Sequence, residues 1–160
     1  MKKYKLGFLC GFFDPLHDGH IDIMKQAKSM CDFLIVAVGT DEFMQKRKHH
    51  ATILSYEQRA EIISAICYVD RVVPETDLDK IAAYNRYHFD VMFAGDDHLS
   101  EPIYLEAEEK LNKLGVDTIF IHREKNIIYR YEKKNGKNYR RFCYMIDTHW
   151  LSNTCLHSTK

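Results

Sequence analysis

The sequence predicts an α/β fold built on a doubly wound, mainly parallel sheet of five strands with helices on both faces. Strand-like and helix-like segments alternate up to residue 121, which is typical of βαβ units. The run FLIVAV at 33–38 is continuously apolar, as expected for a strand covered on both faces. The length of 160 residues suits one domain with a substantial core.

The first strand and the first helices have clear patterns of their own. KLGFLC at 5–10 reads as a buried strand, and HIDIMKQAKSM at 20–30 reads as a helix. The helical spacing is carried by Ile21, Met24, Ala27 and Lys28. SYEQRAEIISAI at 55–66 begins with Ser55 and has Gln58 three residues later, the capping-box pattern of a helix start.

The remaining elements complete the alternation. They are strand RVVP (71–74), helix DLDKIAAYNRY (77–87), strand DVMFAG (90–95), helix EPIYLEAEEKLNKLG (101–115) and strand VDTIFI (116–121). Pro102 near the start of the fourth helix and Gly115 near its end support those boundaries.

Composition argues against several protein classes. The 23 Lys+Arg balance 23 Asp+Glu, whereas a generic nucleic-acid binder usually has a basic surface. The sequence contains no run of about 18 apolar residues, so a membrane span is not expected. The N-terminus turns from basic to apolar like a secretory signal, but it runs directly into DPLHDGH, which favours a first strand. Cys10, Cys31 and Cys67 lie among apolar neighbours, which predicts buried thiols in a reducing cytoplasm.

Polar residues follow every predicted strand. The five strand exits read GFFDPLHDGH, GTDEFMQKRKHH, PETDLDK, GDDH and HREKN. Ligands of doubly wound sheets bind at the carboxyl ends of the strands, near the point where the strand order reverses. We therefore expect a ligand site at this edge.

The first exit carries two histidines three residues apart, His17 and His20, so both rings project from one side of the turn. Gly11 permits close backbone approach, and Gly19 sits where the helix opens and free N–H groups attract anions. Two histidine donors there suit a phosphoryl group that gains charge in the transition state. Taken alone, the spacing favours one capping and one solvated histidine, and nothing nearby supports zinc.

Two other exits carry charged groups. Lys46, Arg47 and Lys48 are interpreted as lying on a loop, either as a solvated face or as a clamp for a triphosphate or anionic substrate. Arg59, on the helix behind this loop, adds a further cation. Asp96 and Asp97 are paired carboxylates that could hold Mg²⁺ or accept ribose or substrate hydroxyls.

GFFDPLHDGH followed by a helix resembles the G-x-F-D-x-x-H-x-G-H signature of the nucleotidylyltransferase superfamily. GTDEF, SYEQRAEII, YVDRVVPE and DVMFAGDDH resemble the bacterial glycerol-3-phosphate cytidylyltransferases in the same order, and the resemblance covers residues 4 to about 127. GHIDIMKQA is also similar to pantetheine-phosphate adenylyltransferases, but those have threonine at the position of His17 and lack the GTDEF and YVD blocks. The resemblance therefore favours cytidylyl transfer on a Rossmann-like fold.

The resemblance implies a transferase that makes CDP-glycerol for cell-surface polymers. A phosphate oxygen of sn-glycerol 3-phosphate, or of another small phosphorylated alcohol, attacks the α-phosphorus of CTP in line, and pyrophosphate leaves without a covalent enzyme intermediate. It also implies Mg²⁺ bound with CTP, a cytoplasmic location and a homodimer, with no nucleic-acid partner. The alternatives are adenylyl transfer and a catalytically impaired nucleotide-binding protein.

The same resemblance, combined with the strand exits, assigns the site residues. The expected catalytic residues are His17, His20, Lys46 and Arg123. The expected nucleotide-binding residues are Gly11, Phe12, Phe13, Asp14, His17, Gly19, His20, Lys48, Asp97, Arg123 and Ile127. The expected substrate-binding residues are Lys46, Arg47, Arg59 and Lys80, and Mg²⁺ is expected near Asp14 and Asp96 rather than in a protein cage.

The pattern of the family breaks at the end of residues 1–127, the expected catalytic domain. The family's last motif runs from an arginine through an isoleucine to a Ser/Thr cluster that starts a helix and holds the triphosphate. This chain has Arg123 and Ile127 at that spacing, but then no Ser or Thr until Thr148. We expect weaker CTP binding than in a relative that has the cluster.

Residues 128–160 form an atypical basic tail with no sustained period, expected to be irregular or partly disordered. The balance of charge changes from −5 in residues 1–125 to +5 in residues 126–160. One allowed set of codons for the segment from Ile127 to Lys134, ATC ATC TAC AGA TAT GAG AAA AAA, gives Ser-Ser-Thr-Asp-Met-Arg-Lys when it is read one base later. The tail is therefore interpreted either as out of frame or as a genuine basic extension that contacts a partner or an anionic surface.

Overall fold

The computed structural model describes residues 2–122, 127–134 and 137–144, the last two ranges by their backbone. Contacts divide the chain into the units Met1–Arg123 and Glu124–Lys160. The strands of the first unit are β1 (Tyr4–Gly11), β2 (Cys31–Gly39), β3 (Arg71–Glu75), β4 (Val91–Gly95) and β5 (Asp117–Ile121). Its helices are α1 (Asp18–Met30), α2 (Asp41–Lys48), α3 (Tyr56–Ser64), α4 (Lys80–Tyr87) and α5 (Pro102–Lys113), with a 3-10 turn at Asp96–His98.

The five strands form one parallel sheet in the order β3-β2-β1-β4-β5. From β1 the chain builds outward to β2 and β3, and it then returns to the other side of β1 for β4 and β5. The register pairs Leu9 of β1 with Val36 and with Phe93. This is the doubly wound α/β fold that the sequence predicts, and β1 lies at the point where the strand order reverses.

Alternate residues of β1 face two different cores. Leu9 packs in a cluster with Met24 of α1 and Ile63 of α3. Phe8 and Cys10 face the opposite cluster, which contains Leu111 of α5. Helices therefore cover both faces of the sheet, which explains why the strands are almost uniformly apolar.

Two helix starts have the predicted chemistry. Ser55 and Gln58 form a complete capping box at the start of α3, with the Ser55 side chain accepting from Gln58 N–H and the Gln58 side chain accepting from Ser55 N–H. Pro102 occupies the first turn of α5. In α1 the buried residues are Ile23, Met24 and Ala27, whereas Ile21 is 39% exposed, so the buried face is rotated from the predicted one.

Two predictions need correction. The basic run at 46–48 lies in the last turn of α2 rather than on a loop. Thr40 Oγ1 accepts from Phe43 N–H at 3.3 Å, and Phe43 is buried, so a cap and an apolar anchor stabilise this short helix. Cys10 and Cys31 are buried as predicted, but Cys67 is exposed because it lies in the turn between α3 and β3.

The second unit contains a two-stranded antiparallel sheet. Its strands are β6 (Ile127–Lys134) and β7 (Lys137–Tyr144), and the register runs from Ile127↔Tyr144 to Lys134↔Lys137. The sequence of this segment shows no sustained period. Within the described part of the chain, no helix combines the length and apolar character that a membrane crossing requires.

Candidate functional site

The loops after the five parallel strands leave the sheet at one edge, and the β1 loop lies at their centre. Phe13 adopts a left-handed backbone conformation, with φ 53°, although it is a buried aromatic residue. Such a conformation is held in place by its surroundings and is common at binding sites. The Phe12 ring lies so close to Gly39 of β2 that a methyl group there would overlap it. The β1 and β2 exits are therefore packed directly on each other.

His17 and His20 lie on the same side of the turn that opens α1. Their rings stack with centroids 3.6 Å apart and an interplanar angle of 26°. His17 occupies the N-cap position, but its side chain makes no capping hydrogen bond, so the alternative of one capping histidine does not describe it. The Phe13 ring meets His20 edge-on at 5.1 Å. The pair is thus a packed unit at the N-terminus of a helix of 13 residues, where an anion is favoured.

Arg59, expected to contact the substrate, lies beneath the site. Its side chain is fully buried. The guanidinium donates to three main-chain carbonyls: Phe12 O at 2.7 Å, Gly39 O at 2.7 Å and Leu54 O at 3.0 Å. It also donates to Asp41 Oδ1 at 2.5 Å. Arg59 therefore ties together the segments that follow β1 and β2.

Two aspartates complete this support. Asp14 is buried, and its carboxylate accepts from Ile53 N–H at 2.7 Å and Leu54 N–H at 3.1 Å, which fixes the loop between α2 and α3. Burial raises the pKa of Asp41, but hydrogen bonds from Tyr56 N–H and from Arg59 outweigh it, so the pKa lies below its ordinary value. Asp41 is thus held as a carboxylate at the start of α2.

The basic end of α2 is exposed. Lys46, Arg47 and Lys48 all lie in its last turn, where positive charge complements the helix dipole. Arg47 Nη2 lies 3.6 Å from Glu101 Oε2. This pair links α2, which follows β2, to the start of α5, which follows β4.

Lys80 has a different environment from the other predicted cations. It begins α4, its side chain is buried, and its ammonium forms an ion pair with the buried Glu75 at the end of β3. The Tyr104 ring lies 5.7 Å from Lys80 Nζ. Burial alone lowers the pKa of Lys80, but the charge of the Glu75 carboxylate and its hydrogen bond reverse this effect, so the pKa is raised and the ammonium stays charged. Burial, followed by the charge of Glu75, raises the pKa of Cys10 to about 12, so its thiol is neutral.

The exit of β4 contains both predicted carboxylates. Asp96 Oδ2 lies 2.5 Å from His122 Nδ1, which joins the β4 and β5 exits. Asp97 is exposed on the 3-10 turn. Among the described residues, no group of three or more His, Cys, Asp and Glu side chains is arranged to hold a metal ion. Arg123 lies outside the described residues, and Ile127 is described only as the first backbone position of β6.

Three residues of this edge were missed by the sequence reasoning. They are Glu75, His98 and Glu101. His98 stacks on Tyr104, with centroids 4.3 Å apart and an interplanar angle of 14°, and its Nδ1 lies 3.0 Å from Glu101 Oε1. For Glu75 the only sequence signal is a carboxylate at a strand end five residues before Lys80. For the other two, the clue is that His98 ends the GDDH motif and that Glu101 follows it by three residues.

Comparison with known proteins assigns the family. A family model described as cytidylyltransferase-like matches residues 8–149. The chain belongs to the cytidylyltransferase-like family. Glycerol-3-phosphate cytidylyltransferase of Staphylococcus aureus is 40% identical over 124 residues, covering 71% of this chain and 89% of that protein. FAD synthase of Pyrococcus horikoshii is 37% identical over 131 residues, covering 79% of this chain and 82% of that protein.

Other proteins that are similar to this chain differ in size. The bifunctional protein HldE of Hyphomonas neptunium is 40% identical over 103 residues, and the match covers 62% of this chain but only 21% of that protein. The crystal structure of a lipopolysaccharide core biosynthesis protein from Thermoplasma volcanium superposes with a TM-score of 0.63 at 27% identity. That match covers 76% of this chain and 98% of the other. The fold is therefore shared with proteins of several names.

Proposed function

We propose that the chain transfers CMP from CTP to a small phosphorylated alcohol, with sn-glycerol 3-phosphate as the first candidate, and releases pyrophosphate. The observation that carries this proposal is the stacked pair of His17 and His20 at the start of α1. The pair lies at the exit of the central strand, and the exposed basic turn of α2 follows the neighbouring strand. Similarity to the S. aureus glycerol-3-phosphate cytidylyltransferase favours this acceptor.

The chemistry needs little from the protein beyond positioning and charge. An oxygen of the acceptor phosphate forms a bond to the α-phosphorus of CTP while the bond to the β-phosphate oxygen breaks, and the electron pair leaves with pyrophosphate. A phosphate monoester is already an anion near neutral pH, so no base has to remove a proton from it. His17 and His20 then serve as donors to phosphate oxygens, and Lys46, Arg47 and Lys48 offset the charge of the phosphates.

Lys80 is proposed as the further cation for the acceptor phosphate. Its charge is secured by Glu75, so an incoming phosphate shares an ammonium that is already oriented. Asp14 and Arg59 act differently, because Asp14 is occupied with main-chain groups of the loop between α2 and α3, and Arg59 with main-chain groups of the β1 and β2 exits. We propose that these two residues hold the Phe12 and Phe13 backbone against the nucleotide without touching the reacting atoms.

Mg²⁺ is proposed as a companion of CTP rather than as a resident metal. It keeps several water ligands and needs only one or two carboxylates beside substrate phosphates, and the exposed Asp97 fits such a role. Asp14 fits less well, since both of its oxygens accept backbone hydrogen bonds. When bound, the ion offsets charge on the triphosphate.

Adenylyl transfer is the second candidate. FAD contains an AMP unit, and the similarity to the P. horikoshii FAD synthase covers a larger share of this chain than the cytidylyltransferase match does. A pyrophosphate-release assay that crosses CTP and ATP with sn-glycerol 3-phosphate, other phosphorylated alcohols and FMN separates the candidates. We expect release to require CTP with sn-glycerol 3-phosphate. Turnover only with ATP and FMN would refute the cytidylyl proposal.

A variant of the histidine pair tests the mechanism. We expect His20→Ala to lower kcat by about 10²–10³-fold, the cost of one donor to a charge-gaining oxygen, with little change in stability. His88→Asn is the matched control, because His88 is exposed at the end of α4 and asparagine tolerates its left-handed conformation, φ 51°. Equal kcat losses in the two variants would remove the role proposed for His20.

The tail sets a limit on affinity. Because residues 128–147 contain no Ser or Thr, we propose that CTP·Mg²⁺ binds more weakly than to a relative with the hydroxyl cluster, or that the chain binds nucleotide without turnover. Calorimetric titration of CTP·Mg²⁺ into this chain and into a relative whose sequence has the cluster tests this, and equal affinities would contradict it. Sequencing the encoding DNA tests the out-of-frame interpretation, which requires a Ser/Thr cluster in the shifted frame.

The homodimer stays a prediction, which analytical ultracentrifugation of the chain would test.

A further inference from the structure

Glu101 occupies an unusual place at the start of α5. It is the N-cap residue, yet its side chain makes no capping hydrogen bond. Oε1 lies 3.0 Å from His98 Nδ1, and Oε2 lies 3.6 Å from Arg47 Nη2. His98 is in turn stacked on Tyr104, which is buried. The carboxylate is therefore oriented by a fixed ring and turned toward the basic end of α2.

The Glu101–Arg47 pair joins the two sides of the strand-order reversal. Arg47 belongs to the helix that follows β2, and Glu101 begins the helix that follows β4. These two strands flank β1 in the sheet, and the β1 exit carries His17 and His20. The pair thus connects the elements on either side of the strand whose exit holds the candidate phosphate-contacting histidines.

An anion can displace this contact at low cost. The separation of 3.6 Å is long for a charge-assisted hydrogen bond, and the side chains of Arg47 and Glu101 are 41% and 37% exposed. An exposed ion pair of this kind changes the equilibrium constant for folding or binding by at most about five-fold. A phosphate monoester carries nearly two negative charges and binds guanidinium bidentately, so it is the stronger partner for Arg47.

We propose that Glu101 is a positioning residue that sets the affinity for anionic ligands by competing for Arg47. Without ligand, the carboxylate holds the guanidinium beside α5. When a phosphorylated ligand binds, the Arg47 guanidinium leaves the Glu101 carboxylate and contacts a phosphate oxygen. The Glu101 carboxylate keeps its contact with His98. This inference rests on the proposed function only in taking the ligand to be a phosphate compound.

Four chains test the competition: the wild type, Glu101→Gln, Arg47→Gln and the double variant. The probe is inorganic pyrophosphate, titrated by calorimetry at low salt, and KM for CTP is measured in parallel. We expect Glu101→Gln to tighten pyrophosphate binding by about two- to five-fold and to lower KM with kcat unchanged. Arg47→Gln should weaken binding, and Glu101→Gln should have no further effect in that background.

The control is Glu106→Gln on the same helix. Glu106 forms an exposed pair with Lys110 at 3.9 Å, so its loss changes net charge equally but leaves Arg47 untouched. Equal tightening by Glu106→Gln, or a Glu101→Gln effect that persists without Arg47, would overturn the inference and leave only general electrostatics. Absence of turnover in all chains, with the coupling still present in pyrophosphate binding, would refute the proposed function while supporting the role of Glu101.

Discussion

Arg59 and Lys80 are both basic, both buried and both near the carboxyl edge of the sheet, but their partners differ in kind. Arg59 donates to the carbonyls of Phe12, Gly39 and Leu54 and to a half-exposed carboxylate. Lys80 forms an ion pair with Glu75, which is itself buried. A main-chain carbonyl cannot move away from the Arg59 guanidinium unless the backbone moves as well. The Glu75 side chain, by contrast, can share the Lys80 ammonium with a phosphate. The comparison separates a region that fixes the site from one that can respond to a ligand.

The largest expected effect is the loss of Arg59. Arg59→Met removes the guanidinium donor from three main-chain carbonyls and one of the donors to Asp41, so we expect a loss of about 3–5 kcal/mol in the free energy of unfolding. Arg59→Lys should recover only part of it, since one ammonium cannot reproduce the planar fork. Chemical denaturation measures both.

Arg86→Met is the control for the loss of a positive charge. Arg86 is exposed and lies over the Tyr87 ring at 5.9 Å, so we expect its replacement to cost less than about 1 kcal/mol. If Arg59→Met costs no more than Arg86→Met, the guanidinium does not tie the β1 and β2 exits together, and the contrast with Lys80 fails.

Arg59 also marks a limit of what the sequence could predict. The capping box of Ser55 and Gln58 places Arg59 correctly on α3, where the sequence predicts one more cation behind the basic run at 46–48. Three of the four acceptors of Arg59 are main-chain carbonyls, which every residue carries and no side-chain pattern reveals. The sequence therefore predicts the position of this residue on its helix but not the direction in which its donors point.

A smaller effect is expected for the Lys80–Glu75 pair. Lys80→Met leaves one buried carboxylate unpaired, so we expect a loss of about 2–4 kcal/mol, below that of Arg59→Met because fewer acceptors are abandoned. Adding Glu75→Leu removes the second charge as well, and the double variant should regain most of the lost stability.

The double variant separates pairing from packing. Thermal or denaturant unfolding of wild type, Lys80→Met, Glu75→Leu and the double variant gives the coupling between the two sites. Additive losses would show that the two charges do not depend on each other. In that case Lys80 would resemble Arg59, a cation fixed by its wider surroundings rather than by one carboxylate.

The fold was largely predictable because buried parallel strands leave long apolar runs. FLIVAV and DVMFAG are examples, and both lie in central strands of the sheet. The helix α2 was missed because only Phe43 and Met44 of its eight residues are buried, too few to produce a helical period. Its capping Thr40, acidic first turn and basic last turn were the available signals. The pair of Glu101 with Arg47 joins residues 54 positions apart, which no local pattern encodes.

The smallest expected effect concerns Asp41, the one carboxylate among the partners of Arg59. Its pKa is lowered in the folded chain because the hydrogen bonds from Tyr56 N–H and Arg59 outweigh burial. The stability this adds is complete above the unfolded pKa of about 3.9 and is lost as pH falls through the lower folded pKa. We therefore expect the difference in unfolding free energy between wild type and Asp41→Asn to shrink on acidification from pH 6 to pH 2.5. A difference that stays constant over that range would mean that Arg59 depends on its carbonyl acceptors alone, which would sharpen the contrast with Lys80.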